Sequence, residues 1–118
     1  MDDDPEIRAA TAGMLQRLDY KFDLAADGEE AVAMYRRYLG VGRPYDAVLL
    51  DQEIVGGMGG EEALSQLRAL DPEVRAIAVT ADSSEGIARS CIERGFCGCL
   101  AKPYRPADLA EILRGVLG

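Results

Sequence analysis

Three residues with useful chemistry occupy equivalent places in this chain, each following a short apolar run. Asp51 closes Ala47-Val48-Leu49-Leu50, Thr80 closes Ala76-Ile77-Ala78-Val79, and Lys102 follows the stretch from Cys97 to Ala101. A carboxylate, a hydroxyl and an ammonium held together suit nucleophilic attack on an electrophile whose oxygens gather negative charge. The chain has no histidine, which removes Ser-His-Asp and Cys-His catalysis and most zinc chemistry at once. A further acidic run, Asp2-Asp3-Asp4, precedes the first helical pattern. Carboxylates crowded beside Asp51 would raise one another's pKa unless a cation joined them, and a hard divalent ion with oxygen ligands, Mg²⁺, is the natural resolution. With Mg²⁺ present, Asp51 would stay ionised and attack phosphorus, and Lys102 and Thr80 would stabilise the phosphoryl oxygens of an acyl phosphate. Arginine outnumbers lysine eleven to two, and the one lysine besides Lys21 stands at this strand end, where a flexible point charge suits a moving phosphoryl group.

The elements that must position these groups are legible from periodicity. Pro5 to Leu18 reads as a helix capped by Asp4, and Tyr20 to Ala25 as a short strand. Asp27-Gly28-Glu29-Glu30 opens a second helix that ends at Gly40, Gly42 and Pro44. The run 47–50 is a buried parallel strand. The turn Gly56-Gly57-Met58-Gly59-Gly60 leads to a helix from Glu61 to Leu70, ended by Asp71-Pro72. Residues 76–79 form a strand, Glu85 to Arg94 a helix closed by Gly95, Cys97 to Ala101 a strand, and Pro106 to Leu117 the last helix. Strands alternating with helices through short connections imply an α/β doubly wound parallel sheet, with ligands beyond the carboxyl ends of its strands. Asp51, Thr80 and Lys102 converge on that edge.

With 118 residues the chain fits one domain, and a net charge of −8 disfavours nucleic acid and anionic membrane surfaces as partners. A protein partner is expected. No apolar run approaches the roughly 20 residues of a spanning helix, and the acidic start is unlike a signal peptide, so a cytoplasmic location follows. Cys91, Cys97 and Cys99 form an odd set that suits reduced thiols in small core positions better than a disulfide framework or a Cys-only metal site. The glycine-rich turn lacks the Gly-Lys-Ser/Thr ending of a phosphate loop and reads as turn geometry. Met34, Tyr35 and Tyr38, at helical spacing, read as packing.

Asp2-Asp3 before the first helix, Leu49-Leu50-Asp51, Val79-Thr80-Ala81 and Leu100-Ala101-Lys102-Pro103 resemble, in order and spacing, the receiver domains of two-component response regulators. The resemblance runs from residue 1 to the C-terminus and implies a flavodoxin-like fold and one phosphoacceptor domain over residues 1–118. It implies Asp51 as phosphoacceptor, Asp2 and Asp3 as the acidic metal pair, the Glu53 main-chain carbonyl as a further Mg²⁺ ligand, Thr80 as switch hydroxyl and Lys102 as phosphate-binding lysine. It also implies a cis Lys102-Pro103 bond. The phosphoryl group would come from a phosphohistidine of a histidine kinase or histidine phosphotransfer domain. The chain would act as a switch rather than an enzyme, with at most self-phosphorylation and self-dephosphorylation. The stretch Gly42-Arg43-Pro44-Tyr45-Asp46 through Gly60 is most similar to receivers at the C-terminus of hybrid sensor kinases. The alternative from another class is a receiver-like interaction module acting without phosphorylation. A Mg²⁺-dependent phosphatase fits less well, because Glu53 is the only approximation to a second aspartate on an Asp-x-Asp pattern.

Three departures from the family pattern stand out. Cys99 occupies the usual position of the switch aromatic. Val55 replaces a common proline, and Glu53 adds an acid beside the site. A receiver also opens with an apolar strand before Asp2-Asp3, where only Met1 stands here, so the central strand of the sheet is expected to be missing. Either the start of the chain was set too late, or the gap is bridged by rearrangement or another chain. The expectation is therefore a homo-oligomer, a strand-swapped dimer or a distorted sheet, with Asp2 and Asp3 poorly anchored and metal binding weakened.

Overall fold

The computed structural model describes residues 1–118 and contains five helices and three strands. They run α1 (Pro5–Arg17), α2 (Gly28–Gly40), β1 (Val48–Asp51), α3 (Gly60–Leu70), β2 (Ala76–Thr80), α4 (Ile87–Glu93), β3 (Gly98–Ala101) and α5 (Pro106–Leu117). The strands form a parallel sheet in the order β1-β2-β3, with Asp51 opposite Val79 and Thr80 opposite Ala101. The helix starts follow from local chemistry. Asp4 accepts from the Glu6 N–H ahead of α1, and Asp27 accepts from the Glu30 N–H ahead of α2. The fourth helix is shorter than its sequence pattern suggests, because Gly86 sits at φ +88° and holds the chain out of helical geometry until Ile87.

β2 is buried along its whole length, and its residues alternate between two cores. Ala76 and Ala78 join Val32, Tyr35, Leu50, Leu64 and Leu67 beneath α2, α3 and α4. Ile77 and Val79 join Leu15, Leu100, Leu109 and Leu113 beneath α1 and α5. Helices on both faces of a parallel sheet are the doubly wound arrangement. At Gly60 a Cβ would stand 2.8 Å from the Asp51 carbonyl oxygen, so only glycine lets the start of α3 close on the end of β1.

Two expectations need correction. Residues 20–25 form no strand: the Tyr20 N–H closes back on the Leu15 carbonyl at 3.0 Å, and the one strand-like bond is the Ala25 carbonyl accepting from the Asp2 N–H at 3.1 Å. Its alternation is that of a strand, but a strand needs a neighbour to exchange hydrogen bonds with, and Asp2 supplies the one such bond. Asp2, conversely, is well anchored. The Met1 amino group donates to the Leu49 carbonyl at 2.7 Å, and the Asp51 N–H donates to the Met1 carbonyl at 3.1 Å. Met1 and Asp2 thus make the last rungs of a parallel ladder between β1 and Ala25. Behind Met1 the sheet is interrupted by a cavity of about 500 Å³, lined by Leu15, Phe22, Met34, Tyr35, Leu49 and Leu113 among others. The sheet of three strands, ending at β1, matches the distorted sheet foreseen for a missing central strand.

Two phenols, the buried Tyr35 and the half-buried Tyr45, brace the wall of this cavity. Tyr35 donates to the Asp71 carboxylate at 2.6 Å, and Tyr45 hydrogen bonds Asp23. Burial, then those carboxylate partners, push both phenols above the ordinary tyrosine range. A folded pKa above the unfolded value means that the stabilisation is complete below the unfolded tyrosine pKa of about 10 and is lost as pH rises beyond it. Alkaline titration followed by phenolate absorbance should show these tyrosines ionising together with loss of the fold, and Tyr35→Phe should blunt that loss.

Candidate functional site

The carboxyl ends of β1, β2 and β3 open onto one edge, and the side chains that emerge there meet in an acidic pocket. Asp51, the last residue of β1, is fully buried. Lys102 follows β3 and reaches back across the sheet, its Nζ 3.0 Å from Asp51 Oδ1 and 3.0 Å from Asp2 Oδ2. The peptide bond between Lys102 and Pro103 is cis. Asp2 is buried, and Asp3 beside it is exposed. Carboxylate oxygens of Asp2, Asp3 and Asp51 lie within 4.8 Å of one another.

Asp51 and Asp2 are each held by local partners. The Glu53 N–H donates to Asp51 Oδ1 at 3.1 Å, and the Asp4 N–H donates to Asp2 Oδ1 at 3.0 Å. Arg8, one turn into α1, donates from Nη1 to the Asp2 carbonyl at 2.8 Å. Met1 and Arg8 were not among the residues singled out from sequence. A basic residue one turn after an acidic run was the available signal for Arg8, whereas Met1 acts through its main chain and carries none.

The electrostatics follow from burial. Burial pushes the Asp51 carboxyl above its ordinary value, and the Glu53 N–H and Lys102 offset this only in part, with Asp2 adding to the rise. Lys102 experiences the reverse balance. Burial works against its charge, but Asp51 and Asp2 outweigh it and hold the ammonium above its ordinary value. The Met1 ammonium, buried against the cavity, is depressed by desolvation.

Asp51 Oδ2 is buried and has no hydrogen-bond partner. A buried carboxylate oxygen without a donor is costly, and it faces a pocket already rich in carboxylates. A hard cation coordinated by oxygen would satisfy that atom and neutralise the cluster, so the donor set fits Mg²⁺.

The remaining candidates lie at the rim. Thr80, at the end of β2, is buried, and its Oγ1 accepts from the Asp82 N–H at 3.0 Å. Glu53 lies in the loop past β1, its main-chain carbonyl two residues beyond Asp51. Its side chain crosses to β2, where a carboxylate oxygen accepts from the Ala81 N–H. The structure therefore joins Asp2, Asp51 and Lys102 by direct contact and sets Asp3, Glu53 and Thr80 around them. The Glu53 bridge could not be foreseen from sequence, because it depends on the spacing of two strand ends.

Comparison with known proteins agrees with this arrangement. The model of the response regulator receiver domain family matches residues 1–114. Two-component response regulator 24 of Arabidopsis thaliana is 32% identical over 100 residues, covering 85% of this chain and 68% of that protein. The peroxide stress-activated histidine kinase mak1 of Schizosaccharomyces pombe is 29% identical over 110 residues, which cover 87% of this chain but only 6% of the kinase. Among solved structures, the receiver domain of a Pseudomonas aeruginosa sensor histidine kinase has magnesium coordinated in its active-site cleft. It superposes with a TM-score of 0.84 at 32% identity, covering all of this chain and 93% of that one. The chemotaxis protein CheY of Borrelia burgdorferi, solved with CheX, BeF3 and Mg, superposes with a TM-score of 0.87 at 26% identity over 99% of this chain and 85% of that one. With the interrupted flavodoxin-like sheet, the acidic pocket and a family match over nearly its whole length, this chain belongs to the response regulator receiver domain family of two-component systems.

Proposed function

We propose that this domain accepts a phosphoryl group on Asp51 from a phosphohistidine of a histidine kinase or phosphotransfer partner, with Mg²⁺ in the pocket formed by Asp2, Asp3, Asp51 and the Glu53 carbonyl. The observation that carries this reading is the buried, unpartnered Asp51 Oδ2 beside a lysine that already spans two carboxylates. In the transfer, an Asp51 oxygen forms a bond to phosphorus as the bond from phosphorus to the histidine nitrogen breaks, and the nitrogen keeps that electron pair. Bound Mg²⁺ would supply charge neutralisation for the phosphoryl oxygens. Lys102 is placed to exchange its contact with Asp51 for one with a phosphoryl oxygen, which leaves the ammonium paired throughout. Thr80, at the next strand end, would give up its local turn to donate its hydroxyl to the same group. Cys99 cannot act as the switch aromatic of other receivers, so this movement would be read out by other packing.

Incubation of the purified protein with acetyl phosphate and Mg²⁺ tests the proposal. The expected product is a hydroxylamine-sensitive phosphoryl adduct mapped to Asp51. An unmodified Asp51 under conditions where Mg²⁺ binding is demonstrated would refute it.

Glu53 bears on the rate. Its carboxylate occupies the Ala81 N–H, a donor at the mouth of the pocket, and places negative charge where an anionic phosphodonor must approach. Glu53→Ala is expected to speed phosphorylation by roughly tenfold, the worth of one charge-assisted hydrogen bond. Time courses with acetyl phosphate would measure it. The same contact favours a second reading, a receiver-like module that binds partners without phosphorylation. If Asp51→Asn changes partner binding equally with and without a phosphodonor, that second reading holds.

The wider setting follows the same proposal. No helix is long and apolar enough to cross a membrane. A cytoplasmic receiver facing a kinase, in a hybrid sensor kinase or standing alone, is the context in which a phosphohistidine donor would be met. The partner would be a protein rather than nucleic acid, in keeping with the net charge of −8.

A further inference from the structure

Away from the acidic pocket, α4 and β3 bring two cysteines into contact. Cys91 is fully buried on α4, Cys99 is half-buried in β3, and their Sγ atoms are 3.5 Å apart. Arg94 Nη2 lies 3.4 Å from Cys91 Sγ while its Nη1 pairs with Glu61 at 2.9 Å, so a cation is fixed beside that sulfur. The third cysteine, Cys97, is exposed.

We infer that Cys91 and Cys99 are a redox-modification site, oxidised by a hydroperoxide to a reversible disulfide that ties α4 to β3. A disulfide needs the sulfurs at about 2.05 Å, a closure of about 1.5 Å that side-chain rotation and a small shift of α4 can supply. A small shift of α4 would break no side-chain cap. The helix spans only Ile87–Glu93, and no side chain caps its N-terminal end.

The order of events follows from the surroundings. Arg94 sets a guanidinium N–H 3.4 Å from Cys91 Sγ and makes no such contact with Cys99, so the cation marks Cys91 as the nucleophile, while burial and the neighbouring Cys91 sulfur push the Cys99 thiol up to about 11. The Cys91 sulfur, beside Arg94, attacks one oxygen of hydrogen peroxide. The new S–O bond forms as the O–O bond breaks, and the departing hydroxide leaves as water with the Cys91 proton. The Cys99 sulfur then attacks the sulfenic sulfur of Cys91. The S–S bond forms, the S–O bond breaks, and hydroxide leaves as water with the Cys99 proton. Two thiols are oxidised to one disulfide, and one peroxide is reduced to two waters.

The experiment uses the reduced protein over residues 1–118 and hydrogen peroxide, followed by alkylation, trypsin and mass spectrometry without reductant. Arg94 lies between the two cysteines, so trypsin separates Ser90–Arg94 from Gly95–Arg114. The expected result is these two fragments joined and lighter by two hydrogen atoms, with Cys97 still open to alkylation and the link lost after dithiothreitol. The same link should form in Cys97→Ser, a surface substitution, and disappear in Cys99→Ser. A link through Cys97 would overturn the inference. So would Cys91 and Cys99 that both remain alkylatable at a peroxide concentration that has oxidised the exposed Cys97.

Discussion

Asp51→Asn should abolish phosphoryl incorporation and, without Mg²⁺, raise the melting temperature. The first effect follows because an amide cannot attack phosphorus as a carboxylate does. The second follows from the pocket. Asp51 is fully buried, Oδ2 has no partner, and its folded pKa is raised by burial. A carboxyl whose folded pKa exceeds its unfolded value of about 3.9 favours the fold only while protonated, and that contribution is lost as pH rises through the folded pKa. At neutral pH the charge therefore opposes folding, and a neutral amide of the same shape relieves it, while Lys102 keeps Asp2 as its partner. Lys102→Ala should act in the opposite direction, because it leaves two buried carboxylates facing each other. Removing one partner of such a cluster costs about 3 kcal/mol or more. Adding Mg²⁺ should stabilise the wild type and rescue much of the Lys102→Ala loss, since both act on the same negative charge. It should do little for Asp51→Asn. Thermal melts of the three proteins with and without Mg²⁺ would check the pattern. Asp51→Asn melting below the wild type in metal-free buffer would contradict this account of the pocket.

The second large effect concerns the cavity behind Met1. Filling it with an extended apolar segment, for example four or five Val and Ile residues joined ahead of Met1, is expected to stabilise the domain by about 4 kcal/mol. The cavity has the boundaries of a strand position. Val48 N–H donates to Arg75 and Gln52 N–H donates to Val79, so by alternation the Leu49 N–H and the Ala47 carbonyl point the other way, into the cavity. The segment 20–25 forms the opposite wall, and Asp2 already pairs with its far end. An added strand would complete both ladders in the parallel sense begun by Met1. Five buried side chains contribute about 2 kcal/mol each, and the new main-chain hydrogen bonds add roughly 1 kcal/mol each. Ordering five residues costs about 2 kcal/mol per residue, which leaves the few kcal/mol stated. Joining the segment to Met1 also replaces a buried ammonium with an amide, which removes a desolvated charge. The melting temperature should rise on the order of 15 °C. A segment of Ser and Asp of equal length should give no such gain. Equal melting of the two extended proteins would show that the cavity is not a strand site.

Much of this protein can be read from its residues, and the reason is local. The helices follow from caps and periodicity, as with Asp4 before α1 and Asp27 before α2, and these depend on neighbours a few residues away. The strands β1, β2 and β3 follow from continuous apolar runs that stop at Asp51, Thr80 and the residue before Lys102, so the composition of the pocket was legible as well. Tyr20 to Ala25 shows where this fails. Its alternation is that of a strand, yet strand formation is a property of a pair, and only Ala25 finds a partner. The anchoring of Asp2 was misjudged for a related reason. Two main-chain bonds of Met1 replace what looked like a frayed end, and main-chain groups leave no trace in side-chain identity. The three remaining decisions are distances between elements far apart in the chain: the unpartnered Asp51 Oδ2, the Glu53 bridge to Ala81, and the meeting of Cys91 with Cys99. Sequence by itself determined which groups this domain possesses and which edge of the sheet holds the acids, threonine and lysine, because period and spacing encode both. Only the tertiary structure decided which of those groups touch and which atom is left without a partner, because those contacts depend on how helices pack across the sheet.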